Sequence, residues 1–126
     1  MNYTKKHNGH AGDTQYFSID KLPETAKKVA QQPIALGEQH NHAHIITGDC
    51  ELFQDDENVF YVKTGKGKTL AQHTFESMIT NETYNKQETI EIADHNPCEL
   101  LPNTIYRVGI HKKYNPYQKI WEKVRD

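Results

Sequence analysis

The sequence predicts a mainly β protein: a small antiparallel β-barrel or sandwich carrying a short early helix and a C-terminal helix. Three observations lead there. The chain has 126 residues, which suits one domain. Only 35% of them are hydrophobic, so the core is thin, and thin cores favour sheets with a polar outer face. The apolar and β-branched residues fall in short runs punctuated by Gly, Pro, Asn and Asp, the signature of strands and turns. One domain over 1–126 follows, with 1–11 as a flexible polar arm and 74–88 as an insertion-like excursion.

DTQYFSI (13–19) alternates as a first strand around Tyr16, Phe17 and Ile19. LPETAKKV (22–29) reads as a turn or two of helix, with Pro23 at the first helical position and Leu22, Ala26 and Val29 on one face. QPIALGE (32–38) starts a short strand. HAHIITGDCELFQ (42–54) reads as two strand segments around the turn-forming Gly48-Asp49. DDEN (55–58) is a polar turn, and VFYVKT (59–64) returns as a strand rich in β-branched and aromatic residues, giving a hairpin.

GKGK (65–68) reads as a flexible turn; it lacks the spacing of a phosphate-binding loop. Residues 74–88 fit either a hairpin excursion or a loop. TIEIA (89–93) alternates as a strand, and HNPCELLPNTIYRVGIH (95–111) as two short strands around Pro102-Asn103. PYQKIWEKVRD (116–126) reads as a closing helix, with Pro116 at its start and Tyr117, Ile120, Trp121 and Val124 on one side. The expected total is about seven or eight short strands, with the helices covering an edge or an end.

The bulk charge narrows the function classes. Fifteen basic and 17 acidic residues leave a net charge of -2, too little positive charge for broad contact with nucleic acid or an anionic membrane. No apolar run approaches the ~20 residues that span a bilayer. MNYTKKHNGHAGD has no apolar stretch of an export signal, so the expected compartment is cytoplasm, the cell's own or a host's. Cys50 and Cys98 are then expected as reduced, packed thiols rather than a bridge. Asp49 and Glu51 beside Cys50 favour a raised thiol pKa once it is buried.

The chemistry-bearing signal is GEQHNHAHII (37–46), with His40, His42 and His44 at every second position. In a strand these rings share a face, and His42 and His44 would have Cα atoms about 6.5–7 Å apart. Two imidazoles at that spacing can converge on one divalent metal, whose identity the residue types do not fix. A third ligand must come from elsewhere in the fold. His95 is the leading candidate because it opens a strand after a turn; His73 and His111 follow. The competing reading is a set of half-exposed surface histidines. Asp55, Asp56 and Glu57 read as a solvated turn, and Tyr114, Tyr117 and Trp121 as cover for one end of the sheet.

Two resemblances bear on this. GEQHNHAHIITGDCELF offers His42, His44 and Glu51 with a later histidine, and so resembles in kind the metal sites of cupins, which are jelly-roll barrels. Glu51, however, lies further from His44 than cupin spacing has it. More of the chain is similar to a family of small, functionally uncharacterised bacteriophage and bacterial proteins. GDTQYFSIDKLPETAKKV (12–29), ALGEQHNHAHII (35–46) and HNPCELLPNTIYRV (95–108) match its motifs in order.

That resemblance implies that His42 and His44 match the family's H-A-H pair and His95 its later histidine, with His73 a candidate for another. His40 has no counterpart. The chain departs from the pattern at Ile45, where the family has arginine, at Asn103-Thr104, where it has a Pro-Gly-like turn, and at His111, where it has glutamine. The expected function is a His-lined pocket that binds a divalent metal. The alternative is a non-enzymatic phage accessory or structural protein docking onto a phage or host protein assembly. No general base stands out, so no reaction is assigned.

Overall fold

The computed structural model describes residues 8–11, 14–36, 42–90, 97–110, 112–115 and 120–123. Its centre is one long hairpin. β5 (His42–Gln54) and β6 (Phe60–Phe75) are 13 and 16 residues long and pair antiparallel from Gln54↔Phe60 to His42↔Phe75. The polar turn between them is built by Asp55. Its Oδ1 accepts the backbone N–H of Glu57 and of Val59, each at 2.9 Å, and its Oδ2 accepts the Tyr61 hydroxyl at 2.9 Å. The Val59 bond, with those from Tyr61 and Glu57, holds the carboxyl below its usual range. Asn58 takes the left-handed conformation that closes the turn.

Gly48-Asp49 is not a turn, as the sequence suggested, but a bulge inside β5. The pairing shifts there, with Gly48 opposite Thr69 and Cys50 opposite Thr64. Facing the bulge, Gly65–Lys68 runs within β6 rather than forming a loop between strands. Asp49 ties the two sides together: its Oδ2 accepts the Gly67 N–H at 2.8 Å and its carbonyl accepts the Thr69 hydroxyl at 2.9 Å. The Asp49 carboxylate lies against Gly65, where any side chain would collide with it.

The remaining strands flank this hairpin. β1 (Asn8–Ala11), β2 (Thr14–Ile19) and β8 (Ile105–Ile110) extend the sheet beyond the first half of β6, and β7 (Cys98–Leu100) pairs with its second half. β3 (Lys27–Val29) and β4 (Ala35–Leu36) line the other edge of β5. The path β1-β2-β8-β6-β5-β3 is antiparallel throughout and open, so the sheet does not close into a barrel among the described residues.

The core lies where these strands meet. Leu52 faces Val62 and Val62 faces Tyr106 across the ladder, and Tyr16, Ile46, Ala71 and Leu100 pack with them. Its polar atoms are satisfied: the Tyr106 hydroxyl accepts the Leu101 N–H at 2.9 Å, and the Thr64 hydroxyl donates to the Leu101 carbonyl and accepts from the Thr104 N–H. Burying one aliphatic side chain of this kind contributes about 1.5–3 kcal/mol.

Several expectations are corrected. No α-helix occurs among the described residues. In 22–29 the Ala26 N–H bonds the Pro23 carbonyl in a single turn, after which Lys27–Val29 joins β5 as β3. In the C-terminal stretch, Ile120–Lys123 is β10, paired with β9 (Lys112–Asn115) in a separate two-stranded sheet, with Trp121 opposite Tyr114. β-Branched and aromatic residues there suit a strand better than a helix face. Part of the expected polar arm, Asn8–Ala11, is strand β1. The proposed strand 89–93 is not seen at Thr89 and Ile90, and its remainder lies outside the described residues. The turn at Pro102-Asn103, with Asn103 left-handed, joins β7 and β8 as expected.

Candidate metal centre

The stretch His42–Thr47 is buried at every position, so both faces of β5 are covered there. Alternation assigns each residue to a face, and directly paired residues share one. Ala43, Ile45 and Thr47 lie on one face with Leu70, Gln72 and Thr74. His42, His44 and Ile46 lie on the other with Ala71, His73 and Phe75. Ile46 and Ala71 belong to the hydrophobic core, so the histidines continue the core face outward along the hairpin.

The excursion covers the opposite face. After Phe75 the chain makes two 3-10 turns, Glu76–Met78 and Thr83–Asn85, and returns across the Gln72 side. The Gln72 amide donates to the Thr47 hydroxyl at 2.9 Å and to the Glu88 carbonyl at 3.0 Å, while its oxygen accepts the Ile90 N–H at 2.6 Å. Residues 76–90 are therefore a flap latched over the face away from the histidines.

On the histidine face three rings stand together. His44 is directly opposite His73, with ring centres 4.6 Å apart. His42 is edge-on to His73 at 5.0 Å and to Phe75 at 4.4 Å. His44 and His73 are each 1% exposed and His42 is 8% exposed. The Nδ1 atoms of all three are buried and make no hydrogen bond, while each residue keeps other interactions.

Two imidazoles bound tetrahedrally to one zinc at about 2.0–2.1 Å hold their ring centres ~5 Å apart. The His44–His73 and His42–His73 spacings fall near that value. The rings do not yet aim all their donors at one point. Among the described residues, the side chains whose donor atoms all lie within 4.8 Å of one another are Asp55, Asp56 and Glu57 in the exposed hairpin turn. There the Asp55 oxygens are already engaged by the turn.

The structure thus brings together His42, His44 and His73. His40, His95 and His111 lie outside the described residues. His73, the weaker candidate from sequence, is the direct cross-strand neighbour of His44, and Phe75 beside His42 carried no sequence signal of its own. Glu51, the cupin-like candidate, is not at this centre; it lies beyond the bulge and pairs with Lys28 at 2.8 Å on the surface. That bond holds its carboxyl below the usual range.

Other chemistry-bearing groups are accounted for structurally. Burial pushes the Cys50 thiol up to about 11, with smaller contributions from Asp49 and Glu51 against a lowering hydrogen bond from Gln31. Cys50 and Cys98 are both free thiols. In the Gly65–Lys68 segment the Gly67 and Lys68 amides are already donated, to the Asp49 carboxylate and the Gln87 side-chain oxygen. Comparison with protein-family models, with curated proteins and with solved structures gives no match.

Proposed function

We propose that this protein binds one divalent transition metal through His42, His44 and His73. The observation that carries this reading is the cross-strand placement of three buried imidazoles on one face, with ring centres 4.6 and 5.0 Å apart. An all-nitrogen donor set favours zinc, copper, nickel or cobalt over magnesium or calcium, which select oxygen. Binding one ion through all three requires the rings to turn so that their donors meet, since the trio's donor atoms do not all lie within 4.8 Å of one another in the structure. On the resemblance to small phage and bacterial proteins, the setting we propose is cytoplasm or a virion. An assembly of phage or host protein is the natural partner.

The test is metal stoichiometry on untagged protein dialysed against zinc, nickel or cobalt. One equivalent is expected. His44→Gln and His73→Gln should each weaken binding by about tenfold or more, and Asp56→Asn in the acidic turn should leave it unchanged. Absence of stoichiometric metal, or full retention in a His44→Gln/His73→Gln double variant, overturns the proposal. His95→Gln run alongside asks whether the later histidine also contributes.

A further inference from the structure

The geometry of the sheet face turned away from the core points to a binding surface for single-stranded nucleic acid, independent of the metal reading. Directly paired residues share a face, and the pairing runs one row across five strands. Phe17 faces Arg107, Arg107 faces Tyr61, Tyr61 faces Phe53 and Phe53 faces Lys28. A second row, further from the hairpin turn, is Ile19, Ile105, Lys63 and Glu51. Both rows point away from the core, because the alternate positions Tyr106, Val62 and Leu52 belong to it. Arg107, Lys63 and Lys28 are exposed, and Phe17, Phe53, Ile19 and Ile105 are partly so. The flap covers this face beyond the bulge, around Gln72; the two rows lie before it, toward the Asp55 turn.

The side chains of the two rows select the ligand. Single-stranded nucleic acid is held by aromatic rings that stack on bases and by cations that meet phosphates. Phe17 and Phe53 supply the rings, roughly 14 Å apart across three strand spacings. Arg107 lies over the Phe17 ring at 5.2 Å, and a guanidinium plane also stacks on bases. Glu51 is bound to Lys28 at 2.8 Å, and among the described residues neither Arg107 nor Lys63 has an ion-pair partner. Those two cations are open to phosphate. Tyr61 is 5% exposed and gives its hydroxyl to Asp55, so it backs the first row rather than stacking on a base. The acidic turn of Asp55, Asp56 and Glu57 adjoins that row, which places the phosphates on the Lys63 side, away from it. The chain's net charge of -2 confines such contact to this patch.

The experiment titrates the full chain into a fluorescein-labelled oligothymidylate of about twelve nucleotides and reads anisotropy. Saturable binding is expected at low salt. Two phosphate contacts predict about a sevenfold loss of affinity between about 50 and 200 mM salt. The Arg107→Gln/Lys63→Gln double variant should flatten that salt dependence. Phe53→Leu should weaken binding about fivefold or more, with circular dichroism unchanged to show that the sheet is intact. Lys86→Gln, on the flap, should leave binding as it is. Absence of binding at low salt overturns the inference. An equal loss in Lys86→Gln and in the double variant means diffuse charge attraction and overturns it as well. So does a concentration-dependent dimer that the double variant dissolves, which assigns the face to a second copy of the chain. None of these outcomes bears on metal stoichiometry, on which the metal reading stands or falls.

Discussion

Gly48 has φ of +108°, and any side chain there would run into the Lys68 carbonyl across the ladder. Both facts make glycine necessary at the bulge. Gly48→Ala is expected to lose about 3 kcal/mol, measured by urea unfolding. The cause would be backbone strain together with the clash against the Lys68 carbonyl. Asp49, next in the chain, does complementary work with its carboxylate on Gly67 and its carbonyl on Thr69. Neither role was legible in the sequence, where Gly-Asp and Gly-Lys-Gly-Lys both carry turn chemistry. A bulge uses the same residues as a turn, and local sequence does not distinguish them.

At the level of elements, Gln72 is the most heavily engaged tether of the flap 76–90, beside the Lys68 N–H donated to Gln87 and the buried Tyr84. Gln72 is fully buried and spends its amide on Thr47, Glu88 and Ile90. Gln72→Leu leaves those groups without partners and should cost about 3 kcal/mol. Amide exchange should accelerate across 76–90 well before it does in β5; uniform exchange across both would refute the latch. The hairpin turn and the strands around VFYVKT and TQYFSI were legible because alternation and turn residues agree there. The short amphipathic runs 22–29 and 116–126 satisfied a helical period over too few residues to exclude strand pairing. His73 was legible only as a weaker candidate for a physical reason. An unbroken hairpin from Gln54↔Phe60 would set His44 against Leu70, and only the shift at Gly48/Cys50 replaces Leu70 with His73.

For the whole molecule, the imidazole cluster and the hydrophobic core share one face and meet at Ile46 and Ala71. Metal bound to the folded state alone then stabilises the entire sheet. At free metal a hundredfold above Kd the gain is about 2.7 kcal/mol, or ~10 °C in Tm for a chain of this size. Calorimetry with zinc and then with excess chelator should show that rise and its reversal. A Tm indifferent to both would count against occupancy of the core face. The open sheet explains why the fold class was readable and closure was not. Composition and alternation report strands, whereas the order in which they neighbour one another depends on contacts between β2, β8 and β6 that are far apart in sequence.

The Gly65–Lys68 segment also acts as a counting device. Before it, Phe60, Val62 and Thr64 of β6 share the inner side; after it, Thr69, Ala71 and His73 do. Even-numbered positions hand over to odd-numbered ones across four inserted residues. A homologue with three or five residues there would keep the same strand and the same histidine, yet send that ring to the flap side. Whether a related chain can assemble the trio is therefore to be judged from the length of this segment as much as from the presence of the histidines.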